Sequence, residues 1–281
     1  AASIPILHAI VLGITQGLSE FLPISSSGHL ILVPWLFGWN DLSGEANADL
    51  SKTFDVALHV GTFLGAIAYF RRDLLRLAVA GLGSIARRSV RTDDERRAWL
   101  LLLSALPGAA VGASLEGFIN EELGRIWLIA VMLIGFGLLL AVADRLPSDR
   151  GMEGFGVRQA LVMGMAQAAA LSPGVSRSGV TITAARFLGF ERDAAARLSF
   201  LMSIPIIGGA AVYKGAEVAV DGLPPGMAAP FVWGILASAV TGLGAVWLVL
   251  RVVRTRSFLP FVAYRVLVGL SVLALLASPL R

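Results

Sequence analysis

Apolar residues run in blocks over 54–70, 98–115, 126–143, 228–250 and 260–279, separated by short charged stretches. Each reaches or approaches the ~20 apolar residues that cross ~30 Å of hydrocarbon. A shorter apolar stretch covers 199–213. Between 71 and 97 stand arginines at 71, 72, 76, 87, 88, 91, 96 and 97 against acids at 73, 93, 94 and 95, the mark of a cytoplasmic loop. The next loop, with Glu116, Glu121 and Glu122 against Arg125, reads as external. Arg145, Arg150 and Arg158 mark an internal loop, Lys214, Glu217 and Asp221 an external one, and Arg251, Arg254 and Arg256 an internal one. Six crossings satisfy this alternation, with both termini outside.

Two apolar regions, 4–38 and 157–190, do not read as simple spans, because Pro, Gly and Ser interrupt each in the middle. They also repeat each other. At an offset of 151 positions Gly13 matches Gly164, Gln16 matches Gln167 and Ser25 matches Ser176. Ser27 and Ser178, Gly28 and Gly179, and Gly38 and Gly189 match as well. The charge map gives the spans that follow the two copies opposite directions. The pattern therefore predicts an all-α polytopic membrane protein with an inverted-topology repeat, six transmembrane helices and two re-entrant helix pairs. All of 1–281 forms one membrane domain, with repeat one over about 4–143 and repeat two over about 157–279. Broken backbone at membrane depth must be buried in protein or line a wet cavity.

The breaks carry the candidate chemistry. In "TQGLSEFLPISSSGHLIL" Pro23 disfavours helix at Leu22, so a first half-helix ends near Phe21. Ser25, Ser26 or Ser27 then caps a second one from about Gly28 to Phe37. In "LSPGVSRSGVT" Pro173-Gly174 makes the break, and Ser176 or Ser178 caps a helix beginning near Gly179. Two helix N-termini facing one cavity attract an anion. Arg177 adds a charge with a fork suited to phosphate oxygens, and an intramembrane arginine is a functional hypothesis by default. Opposite it Glu20 and His29 supply acid–base chemistry or a metal ligand, and Ser26 is a nucleophile if either takes its proton. Gln16 shares a helix face with Glu20, so the two could hold one metal, one water or each other.

Composition agrees: 56% of residues are hydrophobic, 15% are charged, and mean hydropathy is +0.78. The absence of cysteine excludes disulfides, thiol nucleophiles and thiolate metal sites. The net charge of +4 is accounted for by loop arginines and does not point to nucleic acid. No basic segment precedes the first apolar core, so no removable signal peptide is expected.

"QGLSEFLPISSSGH" and "PGVSRSGVT" resemble the signature motifs of the undecaprenyl-diphosphate phosphatases of the bacitracin-resistance type, and "FDVALHVGT" and "FLPFVAYR" resemble that family too. The resemblance covers essentially the whole chain. It implies a multi-pass enzyme of the bacterial cytoplasmic (inner) membrane that removes the terminal phosphate of a polyprenyl diphosphate. The active site would face the periplasm, and a divalent cation, Mg or Ca, would assist. It points to Glu20, Ser25, Ser26, His29, Ser176, Arg177, Ser178 and Thr181, with Ser27 as a further phosphate ligand and Gln16 beside Glu20 at the metal. Many relatives have Glu where this chain has Gln16, so a two-carboxylate metal site is not assumed. A homodimer is left open.

The bland readings are kept beside these. The serines could all be caps, and Arg177 could neutralise helix carbonyls. His59, one turn after Asp55, reads as a satisfied polar pair near a helix end, and His8 as interfacial. Gly61/Gly65 and Gly108/Gly112 have the spacing of close helix packing. A lipid phosphatase of the P-S-G-H and S-R-x5-H type is disfavoured, because Thr183 stands where its histidine is required and no histidine follows His59. A carrier or flippase for a phosphorylated lipid would use the same cradle, but would not need the acid–base pair.

Overall fold

The computed structural model describes residues 4–41 and 47–279, leaving out the side chains of 115–122. The predicted charges at 116, 121 and 122 lie among the latter. Among the described residues ten α-helices follow one another: α1 (Ile6–Phe21), α2 (Ser26–Phe37), α3 (Ala48–Arg87), α4 (Asp93–Glu122), α5 (Ile126–Asp144), α6 (Val157–Ala169), α7 (Arg177–Phe187), α8 (Arg192–Asp221), α9 (Ala228–Val252) and α10 (Leu259–Ala277). Among the described residues there is no strand, only one isolated bridge between Arg150 and Phe190. Six helices, α3, α4, α5, α8, α9 and α10, are long and apolar enough to span a bilayer. These are the six predicted, and the chain is a multi-pass membrane protein. Exposed large apolar side chains such as Leu75, Val212 and Val240 face outward on them, as lipid-facing residues do.

One boundary differs in kind. The arginine-rich segment 71–97 is not a loop: α3 continues to Arg87 and α4 starts at Asp93. The charges sit on helix with partners one turn away, Arg76 on Asp73 and Arg97 on Asp94, each at 3.1 Å. Helical spacing thus satisfies a charge density that reads as loop. At 1.5 Å per residue the 40 residues of α3 reach about 60 Å, well past the hydrocarbon.

Ion pairs fix the helix directions. Lys214 on α8 bonds Asp49 at the start of α3, at 3.0 Å. At the opposite end Arg192 bonds Asp144, which also accepts from the Phe258 backbone, and Arg254 bonds Asp193. The six long helices therefore alternate in direction. The short pairs each return to the end they leave. His8 on α1 bonds Asp41 beyond α2, at 2.6 Å. Arg150 before α6 exchanges backbone hydrogen bonds with Gly189 and Glu191 after α7.

Glycines set the closest approaches. A Cβ at Gly13 would stand 2.4 Å from the Gly234 carbonyl, pressing α1 onto α9, and one at Gly164 would stand 2.6 Å from the Ser104 carbonyl, pressing α6 onto α4. Gly61 and Gly65 likewise meet α9 carbonyls at 2.5 and 2.7 Å, the close packing their spacing predicts.

Candidate active site

The two breaks are built alike and meet each other. α1 ends at Phe21, where predicted, and Leu22 turns to extended backbone. Ser25 caps α2 by accepting from the Gly28 N–H, and Ser176 caps α7 by accepting from the Gly179 N–H. Both serines hold unusual positive φ, 78° and 75°, a strain of about 1–3 kcal/mol each that only a constraining surround retains. The constraint is visible. Ser25 Oγ also accepts from the Gly174 N–H of the other break at 3.0 Å, and Ser178 Oγ donates to the Leu22 carbonyl at 3.1 Å.

Beneath both breaks lies Arg265 of α10, fully buried. Its guanidinium donates to the carbonyls of Pro23, Gly174 and Val175, and to those of Leu133 and Met132 on α5. No carboxylate is paired with it among the described ion pairs. Sequence reasoning gave Arg265 no role, although it ends the "FLPFVAYR" stretch. The signal available was an arginine within an apolar span and without a nearby acid.

A cavity of about 260 Å³ opens beside the breaks, lined in part by Glu20, Ser26, Ser27, His59, Gln167 and Arg177. Glu20 is buried and organises it. One carboxylate oxygen accepts from Arg177 Nε at 3.0 Å; the other accepts from Ser26 Oγ at 2.7 Å and Gln16 Nε2 at 3.1 Å. Arg177 Nη1 donates to the Ser199 carbonyl at 2.9 Å, while its buried Nη2 has no partner. The guanidinium is thus aimed by two fixed bonds and keeps one donor free for an anion.

The predicted set divides. Glu20, Ser26, Ser27 and Arg177 line the cavity together, with Gln16 one bond behind. Ser25, Ser176 and Ser178 are committed to the breaks, and Thr181 Oγ1 bonds the Arg177 carbonyl and Ser199 Oγ, both at 2.7 Å. His29 turns away from Glu20. Its Nδ1 donates to the Ser25 carbonyl at 2.7 Å, and its Nε2 shares a hydrogen bond with the Tyr264 hydroxyl at 2.9 Å. The imidazole beside Glu20 is His59 instead. Its Nε2 lies 3.5 Å from Glu20 and its Nδ1 bonds the Asp55 backbone carbonyl. The sequence could not show this exchange, because it depends on how α3 is rotated against α1.

Such a site defines a class: a polytopic helical membrane protein that buries an arginine, a carboxylate and a serine hydroxyl where two helix breaks meet. The model of the family described as bacitracin resistance protein BacA matches residues 9–271. Proteins named undecaprenyl-diphosphatase are similar along nearly their whole length. That of Geobacter sulfurreducens is 50% identical, covering 96% of this chain and 98% of its own. That of Pelobacter propionicus is 48% identical over 97% and 98%, and that of Geobacter metallireducens 47% over 95% and 97%. The chain belongs to the BacA family.

Proposed function

We propose that the protein hydrolyses undecaprenyl diphosphate to the monophosphate and inorganic phosphate, recycling the lipid carrier for cell-wall synthesis. The observation that carries this is the Ser26–Glu20–Arg177 constellation: a hydroxyl 2.7 Å from a buried carboxylate that also fixes a guanidinium with one donor free. Arg177 Nη2 binds an oxygen of the terminal phosphate. Ser26 Oγ attacks that phosphorus while Glu20 takes its proton; the P–O bond to the lipid phosphate breaks, Glu20 passes the proton to the departing lipid monophosphate, and the carboxylate is restored. Water then attacks the phosphoserine, giving one proton to Glu20, which returns it to Oγ as the P–Oγ bond breaks, so phosphate leaves with the other proton and the serine is restored. His59 stands where it can relay protons to and from Glu20. His29 positions, bracing the Ser25 backbone one residue before the nucleophile.

A divalent cation, Mg or Ca, belongs to this reading. Among the described residues no three His, Cys, Asp or Glu side chains are grouped to hold a metal on their own. The cavity fits the weaker scheme of one carboxylate plus substrate phosphate oxygens. Glu20 and the unpartnered Oε1 of Gln16 would hold the ion. When bound, it would neutralise charge developing on the phosphate.

The contacts also support the inverted repeat. Both short pairs return to the end they leave, from opposite ends, and the close approaches of α1 on α9 and α6 on α4 exchange corresponding helices. The end holding Arg145, Arg192 and Arg254 is cytoplasmic on this reading, which directs the termini and the first pair to the periplasm. The test is phosphate release from a polyprenyl diphosphate by purified protein in detergent with Mg or Ca present. Release with turnover is expected. Absence of release, together with lipid transfer between leaflets of reconstituted vesicles, would replace the enzyme with a carrier.

A further inference from the structure

Gln167 on α6 lines the cavity and is buried, yet neither its Nε2 nor its Oε1 has a hydrogen-bond partner. An unpaired amide in a low-dielectric interior is costly, and native proteins retain few of them. Its counterpart in the first pair explains why this one is free. Gln16 donates to Glu20, one turn further along α1, and to Thr62 at 3.5 Å. One turn beyond Gln167 stands Leu171, also in the cavity wall, which offers nothing to bond. The neighbouring wall is equally bare: α4 presents Gly108, where a Cβ would come within 4.0 Å of Gln167 Nε2. Two residues of the cavity lining, on different helices, therefore each carry a buried unsatisfied donor, Arg177 Nη2 and Gln167 Nε2, and Gln167 adds one unsatisfied acceptor.

We propose that Gln167 is a substrate-contacting residue, its amide N–H donating to an oxygen of the terminal phosphate that Arg177 binds, with its carbonyl taking a water of that phosphate's shell. This rests on the phosphatase reading above. An amide suits the place, since it completes the phosphate's hydrogen bonds without adding charge to a site that already holds Arg177.

The test compares wild type with Gln167→Leu, which keeps the volume and removes both polar atoms, and with Gln167→Met should the branched side chain misfold. Two quantities are read: kcat/KM for a polyprenyl diphosphate, and the thermal unfolding temperature in detergent with and without inorganic phosphate. Losing a hydrogen bond to a charged group should lower kcat/KM roughly ten- to hundredfold. The unfolding temperature without phosphate should hold or rise, because the variant no longer buries an unpaired amide. The rise that phosphate gives the wild type should shrink. Unchanged kcat/KM would overturn the proposal. So would a joint fall of activity and unfolding temperature with phosphate protection intact, which would make Gln167 structural. A wild type indifferent to phosphate would overturn it too. If instead wild type binds phosphate but turns over no lipid diphosphate, the phosphatase reading fails alone, and the loss of protection in the variant still tests the contact.

Discussion

The two helix breaks share a backbone and divide the chemistry. Both are capped by a serine at positive φ, and both second helices are followed by a glycine at positive φ, Gly38 at 68° and Gly189 at 86°. Position by position, though, Glu20 faces Leu171, Ser26 faces Arg177 and His29 faces Val180. One copy brings the acid and the hydroxyl, the other the cation. Two breaks built alike can thus match where they pack and differ in the side chains they bring to the cavity. Substitutions at matched positions should separate these two demands.

The largest effect is expected at Arg177. Arg177→Ala should lower phosphate release roughly a thousandfold or more, by analogy with arginines that stabilise phosphoryl transfer. Arg177→Lys should recover little, since a single ammonium nitrogen cannot reproduce the spacing by which Nε bonds Glu20 and Nη1 bonds Ser199 while Nη2 stays available. A variant retaining near-normal turnover would remove Arg177 from the site. Ser26→Ala should cost about a hundredfold or more in kcat, whereas Ser27→Ala, which disturbs no bond to Glu20, should cost less than about tenfold. Equal losses would argue that the serines only bind.

The caps read out as stability, compared by thermal unfolding. Ser176→Ala should cost about 1–2 kcal/mol as a lost N-cap. Ser25→Ala should cost more, because it also leaves the Gly174 N–H unpaired. If Ser25 were no worse, the bond between the breaks would contribute nothing. The smallest difference is expected at the matched glycines. Gly13→Ala and Gly164→Ala should each destabilise by about 1–3 kcal/mol through overpacking, with Gly13 the more severe.

The six spans were legible because apolar length is a strong signal, and the breaks because Pro23 and Pro173-Gly174 admit few backbones. The caps were legible only as a choice among neighbouring serines, and the helices begin at Ser26 and Arg177, two residues before the predicted Gly28 and Gly179. Rotation was not. Whether His29 or His59 meets Glu20 depends on the facing of helices that are distant in sequence, and both histidines sit equally well in a helical pattern. Gln167 was visible as the repeat partner of Gln16, but its lack of a partner appears only in three dimensions. Arg265 was hidden for another reason: its partners are carbonyls, which have no residue identity to read.

That last residue bears on biosynthesis. The guanidinium that ties Pro23, Gly174 and Val175 to α5 belongs to α10, which follows every element it braces in the chain. Until it inserts, the breaks hold each other only through the Ser25–Gly174 and Ser178–Leu22 bonds, and Arg265 does not yet brace them against α5. The site's backbone thus depends on a helix that contributes no side chain to the cavity lining.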